Sequence, residues 1–140
     1  MESVEIIISD LSITEMDQQA VFQLTKELDK RWNQRDSTAF ANLFEEDADF
    51  RFYTGAWVKG KDAIKTFWGG EVFPEMPANV KHLIVVKRVR FVSPDLAIGD
   101  GVLRFIDVNE EQEQVRAERE GTLIAIKKNG RWCISAVRLV

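Results

Sequence analysis

The sequence predicts an α+β fold in which amphipathic helices close over one face of a strongly curved antiparallel sheet. Three observations predict it. Apolar residues recur at helical spacing through the first half of the chain, and four long strand-like stretches separated by tight-turn signals fill the second. The chain has 140 residues, 45% hydrophobic and 30% charged, which is the size and balance of one domain around one core. Helices first and a meander of strands afterwards is a segregated pattern, so the two kinds of element pack as separate layers.

Thr14 followed three residues later by Asp17 resembles a helix-start box, and Val21, Leu24, Leu28 and Trp32 then recur at three- and four-residue steps. This predicts an amphipathic helix over 14–35, with Gln18, Lys26, Asp29, Lys30 and Arg35 on its polar face. Arg35-Asp36-Ser37 supplies a stop and a new cap for a shorter helix carrying Phe40, Leu43 and Phe44. Glu45-Glu46-Asp47 leads into a short strand at Phe50 and Phe52, and a return strand follows at 56–58. Gly60-Lys61-Asp62 opens a third helix with Ile64, Phe67 and Trp68 on one face, ended by Gly69-Gly70. After Pro74 and Pro77 the chain reads as strands over 80–92, 95–108, 114–128 and 131–140, an antiparallel meander. Gly99, Gly101 and Gly121 permit sharp bending of strands this long, and helices against the hollow side of a bent sheet leave a cavity. Residues 1–13 read as an extension ahead of a single domain over 14–140.

Composition excludes several functions. With 23 acidic and 19 basic residues the net charge is −4, the wrong sign for a protein that neutralises phosphates or sits on anionic lipid, so no nucleic-acid partner is expected. The apolar runs Ile6-Ile7-Ile8 and Leu83-Ile84-Val85-Val86 fall far short of the roughly 20 residues that cross a bilayer. A single cysteine, Cys133, cannot form an internal disulfide, and the start Met1-Glu2-Ser3-Val4-Glu5 lacks a secretory signal, so a cytoplasmic location is expected. No phosphate loop, dinucleotide fingerprint or nucleophile elbow is present, and one histidine without close ligand spacing does not make a metal site. Neither cofactor nor metal is expected.

Five segments carry a resemblance: Trp32-Asn33-Gln34-Arg35-Asp36, Phe40-Ala41-Asn42-Leu43-Phe44-Glu45-Glu46-Asp47-Ala48, Gly60-Lys61-Asp62-Ala63-Ile64, Phe91-Val92-Ser93-Pro94-Asp95-Leu96-Ala97 and Asn129-Gly130-Arg131-Trp132-Cys133-Ile134. In this order, across about residues 14 to 138, the chain resembles the nuclear transport factor 2-like superfamily, within its SnoaL-like branch of ketosteroid isomerase homologues. The resemblance implies a cone of three N-terminal helices on a curved sheet. It leaves function open, because that superfamily holds isomerases, dehydratases, cyclases, epoxide hydrolases and non-catalytic modules alike. The ketosteroid isomerase base, tyrosine and protonated aspartate fall on Phe52, Leu28 and Thr122, so that chemistry is absent. The helix pair of scytalone dehydratase falls on Trp32-Asn33, and its two histidines fall near His82 and Asp100.

A hairpin turning near Glu111 sets Arg104 against Glu118, Asp100 against Thr122 and Gly101 against Gly121. Ile98, Asp100, Val102 and Arg104 then share a face with Glu118, Glu120, Thr122 and Ile124, and the resemblance implies that this face is the concave one. Charges enclosed there would perturb one another as an acid/base site does, with Asp100 as acid/base tuned by Arg104 and Glu120, an arrangement similar to limonene epoxide hydrolase. The competing reading places the same charges at the rim, paired across strands in water. His82, the sole histidine, and Asn33 are candidates to orient substrate or water, set against the plainer reading of His82 as a satisfied strand residue. Trp32, Phe52, Trp57 and Trp68 are candidate contacts for a small apolar or aromatic molecule, set against a reading as plain core. Leu103, Phe105, Leu123 and Ala125 would occupy the opposite, convex face and pair two copies into a homodimer. Two functions follow from this: a small-molecule enzyme of isomerase, cyclase, dehydratase or hydrolase type, or a non-catalytic ligand-binding or dimerisation module.

Overall fold

The computed structural model describes residues 3–140; residues 1 and 2 of the extension, and the part they play in the expected absence of a leader, lie outside the described residues. Helix α1 spans Glu15–Asn33, and Thr14 and Asp17 close a reciprocal capping box at its start. Its stripe of Val21, Leu24, Leu28 and Trp32 is buried. The chain leaves α1 through Arg35 in the left-handed region (φ 55°). The Arg35 guanidinium donates to the carbonyls of Met76, Pro77 and Val80 at 3.2, 3.0 and 2.7 Å, tying the helix exit to the entry of the fourth strand.

Asp36 caps the short helix α2, Ser37–Ala41, which leads into strand β2, Phe44–Arg51. Strand β3, Trp57–Lys59, pairs back on β2, and helix α3, Lys61–Phe67, follows. The helical segments therefore do not form one N-terminal block, because a hairpin stands between α2 and α3. Gly69-Gly70 also does not end the third helix. The chain continues through a π turn, Trp68–Val72, into a last helical turn, α4, Phe73–Glu75. Gly69 answers to packing instead, since a Cβ there would approach the Ser37 hydroxyl to 2.8 Å.

Strands β4 (Val80–Ser93), β5 (Leu96–Val108), β6 (Glu113–Lys128) and β7 (Arg131–Leu139) form the expected meander. Residues Glu5–Ile8 add a first strand, β1, and the seven strands lie in the order β1-β4-β5-β6-β7-β2-β3. The sheet is mixed rather than purely antiparallel, because β1 joins β4 and β2 joins β7 in parallel. Its curl follows from register shifts at Val86/Arg88, Phe105/Ile106 and Ile124/Ala125, each of which bends the bulged strand. The sheet bends so tightly at Gly101 that a Cβ would overlap the Val85 carbonyl oxygen.

The hairpin register is the one derived from the turn: Asp100 opposes Thr122, Gly101 opposes Gly121 and Arg104 opposes Glu118. The face is the opposite one. Leu103 and Phe105 (6% and 5% exposed) and Ala125 turn inward under the helices, so Asp100, Arg104, Glu118 and Glu120 project from the outer surface. The apolar set expected to pair two copies is thus interior, and that argument for a homodimer falls with it. No helix among the described residues is long and apolar enough to cross a membrane.

Candidate functional site

Strand β1 covers only the Arg88–Phe91 part of β4, so the main chain around residues 82–84 needs other partners. Helix α1 supplies them from two side chains one turn apart. The Asn33 amide donates to the His82 carbonyl at 3.1 Å and accepts the His82 N–H at 2.8 Å. Asp29 accepts the Ile84 N–H at 3.0 Å and sits 2.8 Å from Nδ1 of the His82 ring.

His82 is thereby held at both its backbone and its ring. The imidazole stacks on Trp32, centroids 5.0 Å apart at 25°, and meets Phe105 nearly edge-on at 5.8 Å. Burial lowers its pKa below the ordinary histidine value, while the hydrogen bond and charge of Asp29 oppose that shift. The ring is therefore neutral at pH 7. An ionised carboxylate only accepts, so Nδ1 carries the proton and Nε2 presents a lone pair. Nε2 has no partner among the described residues, yet no buried polar side-chain atom is sealed away unpaired. His82 is one of the residues that line a cavity.

That cavity measures about 90 Å³ and lies between α1 and the concave side of β4–β7. A water molecule needs about 10–15 Å³ on the same kind of scale, so the space holds more than isolated water. Leu28, Trp32, Phe50, Phe52, Trp68 and Phe105 supply much of its wall, which is almost entirely apolar. Of the hydroxyls on the wall, Thr25 is committed to the Phe22 carbonyl and Thr122 to Asp100. The indole N–H groups of Trp32 and Trp68, whose side chains are buried, have no acceptor among the described residues.

Of the residues singled out in the sequence, Trp32, Phe52, Trp68 and His82 meet at this cavity. Asn33 does not reach it, because its amide is spent on the β4 backbone. Trp57 is 61% exposed on β3, with the Arg138 guanidinium 4.7 Å above its ring. Asp100 borders the cavity through its backbone position, but its carboxylate accepts the Thr122 hydroxyl at 2.7 Å on the outer side. Arg104 and Glu118 pair across strands at 2.8 Å with their side chains partly in water, and Glu120 is exposed. An enclosed Asp-Arg-carboxylate site is thus corrected by strand parity: these charges project from the outer face, where Arg104 and Glu118 pair across strands. Cys133 is half-buried, and burial first, then Glu45, raises its pKa, so the thiol is not activated. No group of three potential metal-ligating side chains gathers among the described residues.

The residue that the sequence reading passed over is Asp29, placed with the other charges of the polar face. Its position four residues before Asn33 was the available signal, since the two share one stripe beside Trp32. The helix-start box accounts for Asp17 within α1 alone, and its reach to the sheet carries no local signal. Asp17 accepts hydrogen bonds from Lys127 Nζ and Trp132 Nε1, each at 3.0 Å, and clamps the start of α1 to β6 and β7.

A family model described as SnoaL-like domain matches residues 25–133. Among solved structures, a domain of unknown function with a cystatin-like fold from Nostoc punctiforme superposes with a TM-score of 0.79 at 24% identity, covering 91% of this chain and 78% of that one. A nuclear transport factor 2-like protein with a cystatin-like fold from Novosphingobium aromaticivorans gives a TM-score of 0.77 at 16% identity, covering 89% and 80%. A structure from Catenulispora acidiphila, in complex with S-DNPA, gives 0.72 at 15% identity, covering 90% and 95%. No curated protein matches significantly.

Proposed function

The chain belongs to the SnoaL-like domain family, and from that premise we propose that it binds a small, largely apolar molecule inside the cone, with His82 as hydrogen-bond acceptor and proton acceptor. One observation carries the reading: an imidazole fixed through Nδ1 by Asp29 stands in the wall of an apolar cavity, and on this proposal its Nε2 is the acceptor offered to the ligand. Removal from water strengthens any hydrogen bond made there and keeps the base unprotonated at neutral pH. The indole N–H groups of Trp32 and Trp68 are the donors that the wall offers an acceptor on the same ligand. A base paired with donors suits proton removal from a carbon or hydroxyl beside a polar group, followed by its return. That is isomerase-type chemistry rather than a hydrolysis requiring a second carboxylate.

Phenol, an aromatic ring with one donor, probes the site. Titrated into the protein it should shift the ring resonances of the sole histidine, and His82→Phe should weaken its binding at least about tenfold, the loss of one hydrogen bond in a dry site. Unchanged phenol affinity in His82→Phe would refute the assignment. A non-catalytic binding module is the second reading, favoured because, among the described residues, the other titratable residue on the cavity wall, Asp100, has its carboxylate committed to Thr122 on the outer side. Cyclohexanone in deuterium oxide separates the two. Incorporation of deuterium beside the carbonyl by the wild type but not by His82→Phe marks catalysis, and no incorporation marks a binding module.

A further inference from the structure

Beside the cavity lies a broader cleft of about 540 Å³, formed by the end of β2, the loop after it and the α3–α4 segment. Tyr53, Phe67, Val72, Met76 and Pro77 give it an apolar floor, and Glu71, Glu75 and Arg116 stand at its edges. Phe52 lines both this cleft and the cavity. Its ring is packed between the two, 4.1 Å from Tyr53 and 5.2 Å from Phe67 on the cleft side and 5.7 Å from Trp68 on the cavity side. From Tyr53 in the cleft, two successive ring contacts of 6.2 Å and 5.8 Å pass through Phe105 to His82. Sites for small organic ligands usually enclose about 300–1,000 Å³, and the cavity alone falls well below that range.

We propose that cavity and cleft are the two ends of one ligand site, with Phe52 as the swinging partition between them. The ligand is then elongated: a compact head with a hydrogen-bond donor enters beside His82, and an apolar tail lies along Tyr53 and Met76. The identity of the head rests on the reading of His82 given above, whereas the tail rests on the cleft alone. Phe52 lines both spaces and lies just past the end of β2, so rotation of its side chain about χ1 and χ2 can join them without breaking a pair of the sheet ladder.

The test compares phenol with 4-butylphenol, which carries the same donor and an added apolar tail. By calorimetry 4-butylphenol should bind the wild type at least about tenfold more tightly than phenol, since each buried methylene contributes. Tyr53→Ser and Met76→Ser, at half-buried positions that tolerate change, should remove most of that advantage and leave phenol affinity within about twofold. Phe52→Ala should raise the association rate of 4-butylphenol at least about fivefold, because the partition is gone. If phenol shifts the His82 ring while the longer probe binds no more tightly, the two-ended site is overturned and the reading of the cavity stands. If the tail advantage survives both cleft substitutions, the tail lies elsewhere and the proposal is likewise overturned. If neither probe binds, both readings fall.

Discussion

Asp29→Asn is the substitution on which the account of the site turns. The carboxylate accepts from Ile84 N–H and from His82 Nδ1, and its side chain is only 17% exposed. Both donors reach the same oxygen, Oδ1, and Ile84 N–H also lies 3.2 Å from Oδ2, so an asparagine whose oxygen takes the Oδ1 place keeps both hydrogen bonds, whereas the flipped amide would set its NH2 against the Ile84 N–H. The His82 ring therefore keeps its proton on Nδ1 and its acceptor at Nε2. Each of the two hydrogen bonds loses its ionic assistance at about 1 kcal/mol, partly offset by no longer burying a charge, for a net loss of about 1–2 kcal/mol. Urea unfolding measures that loss, and nitrogen-15 chemical shifts of the only histidine in the chain report the tautomer directly. Phenol should then bind within about twofold of its wild-type affinity, because Nε2 is still the acceptor. A switch to the Nε2–H tautomer in the variant, or a loss of phenol affinity of about tenfold, would show that the charge of Asp29, and not its hydrogen bond, sets the ring.

Acid should act on two groups in separate windows. The folded-state pKa of His82 is lowered, so its contribution is fully present above about pH 6.5 and declines as the pH falls from there towards the folded value; His82→Phe should flatten that part of a stability–pH curve. Asp17 is held well below the carboxylate range by Trp132 first and Lys127 second, so its contribution is present above about pH 3.9 and lost on further acidification. Asp17→Ala removes the carboxylate half of the capping box, which accepts the Thr14 N–H, and strands the Trp132 N–H, which should cost about 2–4 kcal/mol at pH 7 by chemical denaturation; a loss under 1 kcal/mol would mean that the clamp is idle. Gly101→Ala should destabilise by about 3 kcal/mol, and more than Gly121→Ala, since the first meets backbone and the second the movable end of Leu139; the reverse order would contradict the bend at Gly101. Arg104→Gln should change stability by less than about 1 kcal/mol and leave phenol binding alone, because its pair with Glu118 stands in water on the outer face.

The fold was legible where a residue's role depends on its near neighbours. The Thr14–Asp17 box, the Val21-Leu24-Leu28-Trp32 stripe and the tight turns of the meander are local signals, and each marks an element close to where it lies. Hairpin register was legible too, because a turn fixes which residues oppose. The parallel joins of β1 and β2 were not, since nothing near Ile6 or Phe44 marks the distant strands they meet. The Gly69-Gly70 pair misled because glycine serves helix stops and close packing alike, and only the position of Ser37 distinguishes them.

The sequence by itself determined the α+β class, the order of the elements, the pairing of Asp100 with Thr122 and Arg104 with Glu118, and the presence of aromatic rings enough to wall a cavity. Only the tertiary structure decided which side of the sheet the helices cover. Alternation along a strand says which residues share a face, but not which face is turned inward, and that choice moved four charged candidates out to solvent. Asp29 and His82 are separated by 53 positions and meet because an uncovered strand edge needs hydrogen bonds that helix α1 can give. The chemistry of the site is therefore a property of how two surfaces dock, written in neither segment alone.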